Sequence, residues 1–87
     1  MEKDFKRLFG ETMREARKKQ NFTQRELAEI VGVSVVYWRD LEHGKYNVTW
    51  ILGLRICAAL GIDIDTMRDT YAASEVRETA EIMGKKL

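Results

Sequence analysis

The sequence predicts an all-α protein of five or six short helices. Apolar residues in its first segment recur at helical spacing, with charged residues between them. Thr, Ser or Asp precedes several later apolar runs and Gly follows them, as at the ends of helices. The connections between the runs are brief, and 87 residues are enough for only one small domain.

The first helix is predicted from about Asp4 to Lys19. Its apolar side chains at helical spacing are Phe5, Leu8, Phe9, Met13 and Ala16. Asparagine tolerates the left-handed backbone conformation that ends many helices, so the pair Gln20-Asn21 predicts the end of helix 1.

Thr23 predicts the start of helix 2, because Glu26, three residues later, completes a capping box. This helix covers residues 24–31, and Gly32 ends it. Ser34 is the predicted N-cap of helix 3.

Helix 3 is predicted over residues 35–42 and ends at His43-Gly44. The valines at its start are also typical of a β-strand. The continuation from Tyr37 has no period of two residues, and a helix is therefore the preferred interpretation.

Three further helices complete the prediction. Thr49 caps helix 4 over residues 50–60, Asp63 caps helix 5 over about residues 64–72, and Ser74 caps a last short helix toward Lys86. Gly61 ends helix 4.

Composition excludes several classes of protein. One cysteine cannot form a disulfide within the chain, and no apolar stretch approaches the ~18 residues of a transmembrane helix. The N-terminus has no secretory apolar region, so we expect a soluble cytoplasmic protein. His43 has no further ligand at metal-binding spacing, and no dyad is organised for catalysis. We therefore expect no metal, no cofactor, no small-molecule ligand and no enzymatic activity.

Helices 2 and 3, with the short glycine turn between them, form a helix-turn-helix unit. Ala28 allows the next helix to cross closely, and Gly32 permits a backbone angle that a Cβ would hinder. Val33, Trp38 and Leu41 would pack helix 3 against helix 2. This arrangement leaves the N-terminus and the outer face of helix 3 free.

Several runs of the sequence resemble the lambda-repressor/Cro-type (Xre) helix-turn-helix family. They are Thr23-Gln24-Arg25-Glu26-Leu27-Ala28, Val31-Gly32-Val33-Ser34 and Leu41-Glu42-His43-Gly44, with Leu60-Gly61-Ile62 downstream and Arg17 upstream. The resemblance covers about residues 9 to 70. It implies a five-helix domain that binds duplex DNA, usually as a dimer, and controls transcription.

The resemblance also implies roles for individual positions. The residues that would read base edges are Val35, Val36, Arg39 and Asp40. The residues that would contact DNA phosphates are Gln24, Tyr37, Lys45, Tyr46 and Asn47. Arg17 and Glu42 resemble a buried ion pair between helix 1 and the end of helix 3.

The reading positions depart from the family's usual pattern. Valines can only pack against thymine methyl groups, and Asp40 can accept from cytosine but repels phosphates. Arg39 is the one strong candidate for a bidentate contact to guanine. Specificity is therefore expected to be modest, A/T-leaning or dependent on flanking residues, unless DNA binding has weakened. Other interpretations stay open. Arg39 could pair with Asp40 or Glu42, and the valines could pack against helix 2 or a dimer mate. Gln24 could be a solvated side chain, and Tyr37 could only cover the edge of the core.

Helix 4 is apolar on both sides, which predicts burial on both sides or contact with a partner. Gly53 in its interior is explained if another helix approaches closely there. The C-terminal segment carries an apolar stripe at heptad-like spacing, which would fold back on helix 4 or pair with a second chain. The predicted dimer or partner interface consists of Ile51, Leu52, Ala58, Val76, Ala80 and Met83.

These patterns predict a DNA-binding transcriptional regulator, expected to be a repressor, that inserts helix 3 into the major groove of double-stranded DNA as a homodimer. The alternative is a protein-interaction module of the same fold, such as an antitoxin that binds a partner protein. Residues 1–73 would form the DNA-binding domain, with the helix-turn-helix unit at 23–42. Residues 74–87 would form a C-terminal amphipathic helix or tail.

Overall fold

The computed structural model describes residues 4–76, which fold into five α-helices. They are α1 (Phe5–Lys19), α2 (Gln24–Val31), α3 (Val35–Glu42), α4 (Trp50–Leu60) and α5 (Ile64–Tyr71), and a π-helical turn (Ala72–Val76) follows α5 directly. The described residues contain no β-strand, and the prediction of an all-α fold is confirmed. None of the helices within residues 4–76 has the length and apolar character needed to cross a bilayer.

A side-chain cap sets the N-terminus of each α-helix in the described chain. Asp4, Thr23, Ser34, Thr49 and Asp63 each have an extended backbone and accept a hydrogen bond from a first-turn amide. At α2 the Thr23 hydroxyl accepts from the Glu26 amide at 3.0 Å, and the Glu26 carboxylate accepts from the Thr23 amide at 2.9 Å. The predicted helix boundaries agree with the structure to within one residue because these caps are local.

One hydrophobic core joins the helices. Its fully buried large side chains are Phe9, Met13, Leu27, Trp38, Leu41 and Ile56. α3 packs against both α1 and α2, and α5 packs against α1. The buried residues of α3 are Trp38, Leu41 and Glu42, which lie three and four positions apart. The opposite side of α3 therefore faces outward.

Two helical glycines mark close approaches between helices. A Cβ on Gly10 would lie 2.5 Å from the carbonyl oxygen of Leu41, so α1 meets the end of α3 at its backbone. A Cβ on Gly53 would lie 3.3 Å from the sulfur of Met67 in α5. At Gly53, α5 thus approaches α4 through the end of the Met67 side chain and not through its backbone.

The end of the described chain differs from the prediction. Ser74 does not cap a new helix, because it lies inside the π-helical turn, with its Oγ 3.0 Å from the carbonyl oxygens of both Thr70 and Tyr71. A serine hydroxyl can donate to a carbonyl of the preceding turn, and the helical backbone continues without a break. The predicted interface residues Ala80 and Met83 lie outside the described residues, and Val76 ends the π-helical turn.

Candidate nucleic-acid interface

A short turn connects α2 to α3. The amides of Gly32 and Val33 both donate to the carbonyl oxygen of Ala28, each at 2.9 Å. Gly32 has a φ of 83°, a left-handed conformation that glycine adopts without steric cost. The Ser34 hydroxyl then accepts from the Tyr37 amide at 3.0 Å and starts α3. The turn thereby fixes the direction in which α3 leaves α2.

The outward face of α3 carries the predicted base-reading residues. Val36 is 55% exposed, Arg39 is exposed and Asp40 is half-buried, and these three lie on one side of the helix. Val35 is half-buried and packs against the core. Of the four predicted base-reading residues, Val36 and Arg39 are therefore the most exposed to solvent.

Arg39 does not pair with the acidic residues near it on α3. Asp40 instead faces Lys45, with 3.4 Å between the lysine Nζ and the carboxylate, and Glu42 is bound by Arg17. Arg39 forms no side-chain hydrogen bond or ion pair with any residue between positions 4 and 76. The interpretation of Arg39 as half of a surface ion pair is therefore wrong.

The loop after α3 is fastened to that helix by two contacts. The rings of Tyr37 and Tyr46 stack with their centroids 5.7 Å apart and an interplanar angle of 25°. The ion pair between Lys45 and Asp40 is the second contact. Tyr46 and Asn47 are exposed, so this loop brings predicted phosphate-contacting residues to the surface next to α3.

Arg17 and Glu42 form a buried ion pair, as the resemblance implies. Arg17 Nε donates to Glu42 Oε2 at 2.6 Å and Nη2 donates to Oε1 at 3.1 Å, a bidentate contact. The Glu42 side chain is only 2% exposed. Arg17 Nη1 also donates to the carbonyl oxygen of Phe22 at 2.9 Å. The pair thus connects α1, the chain before α2 and the end of α3.

Glu42 accepts two further hydrogen bonds that sequence reasoning missed. Trp38 Nε1 donates to Oε2 at 2.5 Å, and Gln24 Nε2 donates to Oε1 at 3.1 Å. The first contact has a signal in the sequence, because a buried indole needs an acceptor and Glu42 lies one turn further along α3. The second has none, since Gln24 is 18 residues away. Gln24 is half-buried, and its interpretation as a solvated side chain is wrong.

The environment of Glu42 keeps it ionised. Burial by itself would raise the pKa of this carboxyl group, since the charged form loses hydration. The hydrogen bonds from Arg17, Gln24 and Trp38, together with the charge of Arg17, outweigh burial and lower the pKa of Glu42. No buried side-chain nitrogen or oxygen in the described part of the chain lacks a hydrogen-bond partner.

The surface of α4 differs in part from the predicted interface. Ile51 and Ala58 are exposed, as is Trp50, which is 64% exposed. Leu52 is buried in the core, and its prediction as an interface residue is wrong. A helix that is apolar on all sides gives no periodic signal for which side faces inward. Beside Trp50 lies a groove of about 560 Å³, lined mainly by Phe5, Val48, Ile64, Met67 and Tyr71.

Comparisons with known proteins point to one class of protein. The chain matches the family model described as "Helix-turn-helix domain" over residues 8–70. It is 49% identical, over 49 residues, to an uncharacterized HTH-type transcriptional regulator of Methanothermobacter thermautotrophicus; the match covers 56% of this chain and 71% of that protein.

Solved structures of the clp gene regulator ClgR from Corynebacterium glutamicum have a similar fold. One crystal structure matches with a TM-score of 0.75 and 29% identity, covering 99% of this chain and 92% of the ClgR chain. Another matches with a TM-score of 0.73 and 32% identity, covering 83% of this chain and 94% of that one.

Proposed function

This chain belongs to the helix-turn-helix domain family of DNA-binding transcriptional regulators, and on that basis we propose that it is a homodimeric repressor that inserts α3 into the major groove. The observation that carries this proposal is the outward face of α3, where Val36 and Arg39 are exposed and Arg39 has no partner among residues 4–76. The major groove of B-DNA admits an α-helix, so this face can reach base edges. The similarity to transcriptional regulators favours this function over the partner-binding alternative.

Each base-reading residue has a distinct proposed role. Arg39 donates two hydrogen bonds to O6 and N7 of a guanine, and Val36 packs against a thymine methyl group. Val35 contributes only the part of its side chain that the core leaves uncovered. Asp40 can accept from a cytosine with the carboxylate oxygen that does not face Lys45, and it also serves to hold that lysine next to α3.

The proposed phosphate contacts come from α2, from α3 and from the loop that follows α3. Gln24 stands in the first turn of α2, whose positive end attracts an anion. Four further residues lie on α3 or on the loop that follows it: Tyr37, Lys45, Tyr46 and Asn47. The stacked tyrosines and the Lys45–Asp40 ion pair hold this loop against α3. Lys45 contributes positive charge and the other residues contribute neutral hydrogen-bond donors.

Arg39→Ala and Lys45→Ala are expected to affect DNA binding in different ways. Arg39→Ala should weaken binding to the preferred duplex by about 1–3 kcal/mol, because Arg39 reads a base. It should also reduce the preference for guanine at the position that Arg39 contacts. Lys45→Ala should weaken binding to all sequences and reduce the salt slope by about 1, because Lys45 contacts a phosphate. Selection from a random duplex pool with sequencing, followed by anisotropy at several salt concentrations, measures both effects. An unchanged motif and affinity in Arg39→Ala would contradict the proposed reading face.

The proposed dimer places the two copies of α3 about one helical turn of DNA apart, ~34 Å, on a site with two-fold symmetry. Its interface consists of Ile51 and Ala58 on α4, together with Val76, Ala80 and Met83 of the C-terminal segment.

We propose that the chain is divided into a DNA-binding domain, residues 1–73, and a C-terminal segment, residues 74–87, that adds to the dimer. We also propose a cytoplasmic location.

Ile51→Lys is expected to weaken self-association at least about tenfold, since it would bury a charge in an apolar interface. Ile30→Lys is the matched control, because Ile30 is 57% exposed on α2, close to the 64% of Ile51. Sedimentation equilibrium of both variants and the unchanged protein measures the effect. The proposed interface is incorrect if the unchanged protein is a monomer at micromolar concentration. It is also incorrect if the Ile51→Lys variant self-associates as strongly as the unchanged protein.

A further inference from the structure

We propose that Glu42, besides pairing with Arg17, is a positioning residue for DNA binding, because it orients the Gln24 side chain toward a DNA phosphate. This inference rests on the proposed function, since it requires the start of α2 to face the DNA backbone. The observation behind it is the 3.1 Å hydrogen bond from Gln24 Nε2 to Glu42 Oε1. Glu42 itself is buried and does not need to touch DNA.

The backbone around Gln24 is suited to an anion. The capping box of α2 occupies the amides of Thr23 and Glu26. Within residues 4–76, the amides of Gln24 and Arg25 have no acceptor. Two such amides at the positive end of a helix favour a phosphate at this point.

The side-chain amide of Gln24 has two N–H groups, and Glu42 accepts a hydrogen bond from only one of them. The second remains for a phosphate oxygen. A glutamine that was free in solution would lose side-chain entropy when it bound DNA. Because Glu42 already restricts Gln24, that loss is smaller and the phosphate contact is preorganised.

The charge of Glu42 does not prevent this role. Arg17 makes two charge-assisted hydrogen bonds to the carboxylate and balances its charge. Gln24, Arg17 and Glu42 line one open pocket of about 420 Å³. The other lining residues are Arg14, Phe22, Thr23 and His43. Arg14 is exposed and has no ion pair among the described residues, so the pocket has a net positive charge.

A double-mutant cycle on DNA affinity tests this role. Gln24→Ala, Glu42→Gln and the double variant are titrated by anisotropy against one labelled random-sequence duplex pool at low salt, at a temperature where circular dichroism finds each folded. Gln24→Ala is expected to weaken binding about fivefold to tenfold, the size of one typical net hydrogen bond. Glu42→Gln should weaken binding about threefold on its own and have no effect in the background of Gln24→Ala.

Gln20→Ala is the matched control for the cycle. Gln20 is also an ordered glutamine, since its Nε2 donates to the carbonyl oxygen of Leu60 at 2.6 Å, but that contact joins α1 to α4. Its removal is expected to leave DNA affinity unchanged. An effect of Glu42→Gln that is equal in both backgrounds, or absent in both, would overturn the positioning role.

A second measurement uses the unchanged protein and does not depend on the folding of any variant. Hydrogen exchange by NMR is expected to find one Gln24 Nε2 proton protected, as for Gln20, relative to the exposed amide of Asn47. Exchange of Gln24 as fast as that of Asn47 would also overturn the inference. If the unchanged protein does not bind duplex DNA, the proposed function fails as well. If it binds and the cycle is additive, only the positioning role fails.

Discussion

Arg17→Leu is expected to lower the free energy of unfolding by about 3–5 kcal/mol, because it leaves the Glu42 carboxylate buried without its counter-charge. Glu42 would lose two of its four hydrogen bonds, and the Phe22 carbonyl would lose its donor. A domain of this size has a total stability of only roughly 5–10 kcal/mol, so the substitution should remove a large part of it. Urea unfolding at fixed protein concentration measures the loss.

Arg14→Leu is the control for this substitution. Arg14 lies one turn earlier on α1 and lines the same pocket, but it is exposed and has no ion pair within residues 4–76. Its replacement should change the stability by no more than about 0.5 kcal/mol, as for other surface positions. Equal losses in the two variants would mean that the Arg17–Glu42 pair does not stabilise the fold.

The same pair makes stability depend on pH. The pKa of Glu42 is lower in the folded protein than in the unfolded chain, where it is about 4.3. The stabilisation is therefore fully present above that value and is lost as the pH falls through the folded pKa. Arg17→Leu removes the hydrogen bonds and the charge of Arg17, so the pKa of Glu42 is expected to be higher in the folded variant than in the unchanged folded protein. The difference in stability between the two proteins is thus expected to narrow as the pH falls from the folded pKa of Glu42 in the variant to its lower folded pKa in the unchanged protein.

Gly10→Ala is expected to destabilise the protein by about 3 kcal/mol, as severe overpacking does. The new Cβ would lie 2.5 Å from the carbonyl oxygen of Leu41 and 2.8 Å from that of Glu42. These are backbone atoms at the end of α3, so relief requires α1 and α3 to separate. The gain in helix propensity, about 1 kcal/mol, is too small to compensate. A lower urea midpoint and weaker DNA binding are expected together, because α3 carries the proposed reading face.

Gly53→Ala is the matched control, since it places the same methyl group inside another helix. Its Cβ would lie 3.3 Å from the Met67 side chain and from a methyl group of Val48. Methionine is flexible and can move away, so the change in stability should stay within about 1 kcal/mol. If Gly10→Ala is as mild as Gly53→Ala, the contact between α1 and α3 is looser than the structure indicates.

The sequence was informative wherever an interaction is local. Thr23 and Glu26 are three residues apart and satisfy each other's backbone, so the start of α2 could be predicted. Ser74 is the exception, because a serine can either cap a helix or donate to the preceding turn, and only the backbone distinguishes these two cases.

The sequence was least informative on α4. Apolar residues surround this helix, and nothing in their order indicates that Leu52 faces the core while Trp50 faces solvent. The packing of α4 against α1 and α2 decides that orientation. The helical glycine at position 10 gave no signal either, since the backbone that it meets lies some thirty positions along the chain.

The sequence by itself determined the helices, the turn between α2 and α3, and the residues that lie on each side of α3. The physical reason is that caps, left-handed glycines and helical stripes depend on residues three or four positions apart. The family resemblance had implied the pairing of Arg17 with Glu42, but only the tertiary structure decided that Gln24, 18 residues from Glu42, would also bind its carboxylate, and that Arg39 would remain unpaired among the described residues. Such contacts depend on the angles and distances at which whole helices pack, and these follow from the shape of the complete core.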